Sequence, residues 1–124
     1  MGKGIIIKES LPESITAMLE TFVVKIYPHL LGGEKPVTIM KLDLDISEFE
    51  SIASKIFHHL AEPLYYAHFL FGKRMYVIFQ NALLSIDEGD MGQVNICKQV
   101  GQLKGIDLSL MKFDEMFKED HPNG

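Results

Sequence analysis

The sequence predicts an α+β fold, a sheet of four to five mostly antiparallel strands with three helices packed on it. Two observations lead to this prediction. Aromatic and β-branched runs between residues 64 and 87 are broken by short turn signals, which is typical of a three-strand meander. Elsewhere, apolar residues recur at helical spacing behind helix-start residues. The 124 residues are expected to form one domain, 1–124, with a frayed tail at 118–124.

The N-terminal part predicts a strand at Gly4–Lys8 followed by a long helix. Ser10, Pro12 and Glu13 are typical of a helix start, with a capping residue and an acid in the first turn. An apolar stripe at helical spacing continues the predicted helix to a stop at Pro28. The stripe consists of Ile15, Met18, Leu19, Phe22, Val23, Ile26 and Tyr27.

After a loop at Gly32 and Gly33, Val37–Asp45 alternates between apolar and polar residues and predicts a half-buried strand. Ser47 and Glu50 form a capping box that predicts the start of the second helix. Its predicted core residues are Phe49, Ile52, Ala53, Ile56, Phe57 and Leu60, and Pro63 is expected to end it.

The meander has two possible registers. Two-residue turns place Tyr66, His68 and Leu70 beside Met75, Val77 and Phe79, and those beside Ala82, Leu84 and Ile86. A three-residue turn at 72–74 reverses which side chains share a face. Both faces of the first meander strand are apolar, so a helix, a partner chain or a ligand is expected to cover the second face.

A third helix is expected from Met91 to Leu103, with Asp90 as its cap and several weak helix formers inside it. We expect it to pack on Val94, Ile96, Cys97, Val100 and Leu103. A turn at 105–107 then leads to a C-terminal stretch held by Leu108, Leu110, Met111 and Phe113.

The C-terminal half resembles a group of small uncharacterised bacterial α+β domains. The resemblance lies in Pro63–Phe69, in Val77–Phe79, in Gly101 within a helix, and in Gly105–Ile106 before Leu110 and Phe113. It implies a small α+β domain and brings with it no activity, cofactor or catalytic residue.

Charge and cysteine content limit the functions that the sequence allows. The net charge of −5 argues against nucleic acid as a partner, because phosphates require a basic surface. The single cysteine, Cys97, cannot form an internal disulfide, and no apolar run is long enough to span a membrane. We therefore expect a cytoplasmic protein, and the sequence indicates no cofactor.

The second face of the meander is the first candidate site. It presents Tyr65, Phe69, Phe71, Tyr76 and Ile78, and a bare aromatic face of this kind is unusual in a monomer. The interpretation is a non-catalytic binding module that self-associates as a homodimer. The alternative is that the first or third helix covers this face within the chain.

A ligand pocket near His68 is the alternative functional hypothesis. His68 with Tyr66 would give an ionisable group and a hydroxyl between sheet and helix, and whether such a pocket would be catalytic stays open. A core histidine with a hydrogen-bonded ring explains the same pattern. A weaker idea is a metal site at His58, His59 and His68, although neighbouring helix residues point about 100° apart.

Overall fold

The computed structural model describes residues 2–31, 33–60 and 65–118. The strands are β1 (Gly2–Ile7), β2 (Val23–Leu31), β3 (Lys35–Leu44), β4 (Ala67–Phe71), β5 (Arg74–Phe79) and β6 (Ala82–Asp87). The α-helices are α1 (Glu13–Leu19), α2 (Ile46–His59) and α3 (Met91–Leu103). Short 3₁₀ helices lie at Lys8–Ser10, Glu20–Phe22, Leu108–Leu110 and Glu115–Phe117. All six strands form one antiparallel sheet in the order β2-β3-β1-β4-β5-β6.

The α+β class is confirmed, but the sheet has six strands and the predicted four to five were too few. The additional strand is β2, which the sequence placed in the first helix. Its apolar residues fit helical spacing, yet Lys25, Tyr27 and His29 occupy every second position, as the residues on one face of a strand do. The backbone pairs with β3 from Val23 to Leu31. Long-range pairing decides between the two patterns, and the α-helix ends at Leu19.

The predicted capping box at Ser47 and Glu50 is wrong. β3 ends at Leu44, the backbone is extended at Asp45, and α2 begins directly at Ile46 without a side-chain cap. Five of the six predicted core residues are buried, namely Phe49, Ile52, Ala53, Ile56 and Leu60, whereas Phe57 is half-buried.

The meander adopts the register with two-residue turns. Phe71 lies opposite Arg74, with Gly72 at a φ of 61° in the turn, and Phe79 lies opposite Ala82. A positive φ is cheapest for glycine, so Gly72 suits this turn. The three-residue alternative is excluded.

Two layers cover the two faces of the sheet. On one face, α1 and α2 pack over residues that include Ile6, Met40, Leu42, Ala67, Phe69 and Ile78. On the other face, α3 and the C-terminal segment (residues 104–118) pack over residues that include Met75, Val77, Phe79 and Ile86. A smaller cluster on this second face is formed by Ile5 and Ile7 of β1 with Val37 and Ile39 of β3.

The bounds of α3 match the prediction, and the Asp90 side chain accepts a hydrogen bond from the Gln93 backbone N–H at 3.0 Å. Its packed face differs in part. Val94 and Cys97 are buried as predicted, whereas Ile96 and Leu103 are 55% and 89% exposed. At 100° per residue, Ile96 lies about 200° from Val94, so the two cannot face the same sheet.

Candidate functional site

The aromatic face predicted as an interface is covered within the chain by α2. The ring of Phe49 lies 5.2 Å from Phe69, 5.3 Å from Phe71 and 4.7 Å from Tyr76, measured between centroids. Phe69 and Ile78 are fully buried, while Tyr65, Phe71 and Tyr76 are half-buried. The sequence suggested the first or the third helix as the cover, but these ring contacts are made by α2, the second helix. Self-association stays a prediction, and Phe69 and Ile78 cannot contact a partner unless α2 moves away.

His68 is buried and Tyr66 is half-buried, on the sheet face covered by the C-terminal segment. Their ring centroids are 6.5 Å apart, and His68 is 5% exposed. The Tyr66 hydroxyl donates to the backbone carbonyl of Leu110, and burial raises the pKa of Tyr66. The phenol therefore attaches the C-terminal segment to the start of β4.

Among the residues that the structure describes, the α2 histidines His58 and His59 form no metal site with His68. The His59 ring nitrogen Nδ1 lies 2.8 Å from the Lys55 carbonyl oxygen, and the His58 ring packs on Phe57. Within 2–31, 33–60 and 65–118, no three potential metal-ligating side chains form a group. Over the same ranges, no helix has the length and apolar character needed to cross a membrane.

An open cleft of about 800 Å³ lies where the tip of the β2–β3 hairpin meets the C-terminal segment. The hairpin side of this hairpin cleft is formed by Pro28, His29, Leu30, Gly33 and Pro36. The opposite side is formed by Ser109, Leu110 and Lys112. Its volume is within the range of ligand sites, roughly 300–1,000 Å³.

The polar groups of the hairpin cleft are few. Burial lowers the pKa of His29, which favours the neutral imidazole. Lys112 is the cation among the lining residues, and the described lining contains no carboxylate. The nearby Asp107 carboxylate accepts hydrogen bonds from the Ser109 N–H and hydroxyl, both at 2.9 Å.

Sequence reasoning missed this cleft for two reasons. The residues that form its hairpin side were assigned to a helix and a loop, so no hairpin was recognised. Its two sides are also separated by more than seventy positions in the chain, and no local pattern connects Pro36 with Ser109.

The outer surface of α3 is a second candidate site. Ile96, Val100 and Leu103 follow each other at spacings of four and three residues, which places them on one side of the helix. We call these three residues the outer α3 stripe. The exposed polar side chains beside it are Asn95, Gln99 and Gln102, which carry no charge.

The charge pattern of α3 differs from that of the rest of the chain. Its 13 residues include one charged side chain, Lys98, although 23% of the whole chain is charged. Lys98 lies about 200° around the helix from Ile96 and reaches Asp114 at 3.9 Å. Depletion of charge around exposed apolar groups is typical of interface cores.

The outer edge of β2 is a weaker docking surface. The Thr38 backbone N–H donates to the Glu9 carboxylate at 2.8 Å and therefore points away from β2. Because Pro28 lies opposite Thr38, its ring nitrogen faces the outer edge, where it offers no donor. A register shift between Val23 and Lys25 interrupts the edge further. Proline, lysine and bulges are the features by which natural sheets block edge pairing.

Comparisons with known proteins give no information about the role of these surfaces. No family model matches the chain, and no curated protein or solved structure shows a significant match. The resemblance to small bacterial α+β domains therefore has no further support.

Proposed function

We propose that this chain is a non-catalytic binding module that self-associates through the outer α3 stripe. The observation that carries the proposal is a helix side without charged residues, on which Ile96 and Leu103 are exposed and Val100 between them is half-buried. Burying such a stripe removes apolar surface from water without desolvating an ion.

A second copy of the chain is the partner that this surface fits best. In a twofold contact, side chains near the axis meet their own symmetry mates, so a charged surface would oppose like charges. The side chains beside the stripe are amides at Asn95, Gln99 and Gln102. An amide both donates and accepts hydrogen bonds, so it can pair with an identical amide.

The expected dimer is weak. A 13-residue helix is about 20 Å long, and one helix pair buries less than the roughly 800 Å² per partner of a standard interface. We therefore expect a dissociation constant in the micromolar range or weaker, with a monomer–dimer equilibrium at ordinary concentrations.

Sedimentation velocity between about 10 µM and about 1 mM tests this proposal. We expect the weight-average mass to rise with concentration for the natural chain and to stay monomeric for Leu103→Lys. Leu103 is 89% exposed, so this change is expected to alter folding stability by about 0.5 kcal/mol or less.

Ile26→Lys is the matched control. Ile26 is 53% exposed on the edge strand β2, so the variant introduces the same charge on another apolar surface. We expect it to self-associate like the natural chain. A natural chain that stays monomeric over the whole range contradicts the proposal, as does loss of association in Ile26→Lys alone.

A second candidate function is the binding of a small molecule, which the sequence suggested for Tyr66 and His68. The observation that favours it is the hairpin cleft, one side of which includes Leu110, the residue held by the Tyr66 hydroxyl. On this proposal Tyr66 positions the site, and the ligand contacts the hairpin rather than His68. For both functions we propose a location in the cytoplasm, with no nucleic acid as partner.

A further inference from the structure

We infer that the dimer also pairs β6 with the β6 strand of the second copy, which joins the two six-stranded sheets beneath the outer α3 stripes. The inference rests on the proposed self-association and adds a strand contact to the same interface. The partner is a second copy of this chain.

The backbone of β6 has hydrogen-bonding groups that face away from the sheet. β6 is an edge strand, at the end of the sheet opposite β2. Phe79 and Ala82 flank a two-residue turn and therefore form a hydrogen-bonded pair. Such pairs alternate with open pairs, so the N–H and C=O groups of Leu83 and Ser85 point away from β5. Among the residues that the structure describes, no other strand, loop or side chain hydrogen-bonds these groups.

The outer α3 stripe lies on the side of the helix that faces this edge. Asp87 also points away from β5, and its backbone N–H donates to the Gln93 side-chain oxygen at 2.7 Å. Gln93 and Val100 are two helical turns apart and so share one side of α3. Lys98 lies about 200° around the helix from Val100 and reaches Asp114 of the C-terminal segment. The side with Val100 therefore faces the outer edge of β6.

This edge lacks the features that block pairing at β2. Residues 82–86 include no proline and no charged side chain, and their pairing with β5 contains no register shift. Leu84 and Val100 are both half-buried against the core beneath α3, so apolar surface continues from the helix to the strand edge. An uncharged, unblocked edge of this kind accepts another strand.

A twofold axis at Leu84 would use all the outward groups of Leu83 and Ser85. Leu83 of one copy would lie opposite Ser85 of the partner subunit, and each such pair would exchange two backbone hydrogen bonds. The two Leu84 side chains would meet on the face that α3 covers. The same axis makes the two α3 helices antiparallel, with their stripes facing each other.

The strand contact also accounts for the size and closure of the dimer. A helix pair alone buries less than the roughly 800 Å² per partner of a standard interface, and the β6 contact adds to that area. Both ends of the joined sheet would then be β2 edges, which carry Pro28 and a register shift. The assembly therefore stops at two copies instead of growing into a fibre.

Amide hydrogen exchange of the full chain, followed by NMR over the concentrations used for sedimentation, tests the strand contact. We expect the Leu83 and Ser85 amides to exchange more slowly as the dimer forms, by about twofold where half of the chains are paired. The amide of Ile26, at the outer edge of β2, is expected to exchange at the same rate throughout.

Ser85→Pro removes an outward donor without removing a hydrogen bond to β5, because Ser85 and Tyr76 form an open pair. The twofold axis doubles the loss, so we expect dimerisation to weaken at least about tenfold. Ile26→Pro is the matched control. Ile26 lies two residues before Pro28 on the other edge, so its N–H also points outward. We expect this variant to dimerise like the natural chain.

The outcomes separate the inference from the function on which it rests. If the natural chain dimerises through α3 while exchange at Leu83 and Ser85 stays constant, the strand contact is wrong and self-association stands. Undiminished dimerisation of Ser85→Pro has the same meaning. A chain that stays monomeric overturns both proposals. Should Ser85→Pro fail to fold, which its amide spectrum would show, the exchange rates of the natural chain decide.

Discussion

At the scale of single residues, the Tyr66 hydroxyl makes a hydrogen bond within the fold. Tyr66 has its hydroxyl on the Leu110 carbonyl and its ring against Phe113, with centroids 5.2 Å apart. The sequence correctly placed His68 in the first meander strand, whereas Tyr66 lies directly before that strand. The sequence could not show which distant backbone group Tyr66 would bind. That partner lies 44 residues away in the chain.

Tyr66→Phe tests the structural role of this hydroxyl. The change removes the donor from a partly buried hydrogen bond to the Leu110 carbonyl, so we expect a loss of about 1–2 kcal/mol in unfolding free energy. Urea unfolding measures this difference.

Tyr65→Phe is the control for that experiment. The Tyr65 hydroxyl accepts a hydrogen bond from Lys35 at 2.7 Å in an exposed position, so water can replace the contact. We expect a change of about 0.5 kcal/mol or less. If the two variants are equally stable, the Tyr66 hydroxyl does not hold the C-terminal segment in the way we describe.

At the scale of secondary-structure elements, β1 packs closely because two of its residues lack side chains. Gly4 lies opposite Phe69 of β4, and Gly2 is next to Phe71 on the same face. A Cβ at either glycine would overlap the neighbouring phenylalanine ring. The rings occupy the space above the glycines, and Phe49 of α2 packs against both of them.

Gly4→Ala is therefore expected to destabilise the fold by about 1–3 kcal/mol, through overpacking against a buried ring. In a Phe69→Leu background the ring is absent, so the same change is expected to cost about 1 kcal/mol less. Thermal or urea unfolding of the four proteins in this cycle measures the coupling. Equal costs of Gly4→Ala in both backgrounds would show that ring and glycine are not in contact.

The elements differ in how well local sequence determines them. The meander, α2 and α3 have alternating or helical patterns over their whole length, and local reasoning found them. β2 carries both patterns at once, and its pairing with β3 decides the outcome. The outer α3 stripe could have been recognised, because Ile96, Val100 and Leu103 recur at helical spacing in a segment with one charged residue, Lys98.

At the scale of the whole molecule, the stability of the fold is tied to a thiol in its interior. Cys97 is 1% exposed, and burial raises its pKa to about 11. In the unfolded chain a thiol loses its proton near pH 8.5. Between these values the unfolded state binds fewer protons than the folded state, so stability falls as pH rises.

We expect the free energy of unfolding to fall by up to about 2–3 kcal/mol between pH 9 and pH 11 because of this one group. Cys97→Ala removes the titration, so its stability should decline less over the same range. Tyrosines and lysines also titrate there, but both proteins share them and their effect cancels in the difference. Urea unfolding at several pH values measures the two slopes, and equal slopes would mean that Cys97 does not titrate with folding.

The overall arrangement could be predicted only in part. The class and the two apolar faces follow from the meander, since a strand that is apolar on both sides needs two covering layers. Which helices form each layer does not follow from the sequence, because any amphipathic helix of the chain can cover either apolar face. The hairpin cleft depends on the strand order β2-β3-β1, which places the hairpin tip beside residues 109–112.

The central position of β1 in the sheet has a consequence for synthesis on the ribosome. β1 contains residues 2–7, yet it pairs with β3 and β4, whose partner residues end at position 70. β1 must therefore wait, unpaired on one side, until more than sixty further residues have left the exit tunnel. Throughout that interval its isoleucines are open to chaperones and to other nascent chains.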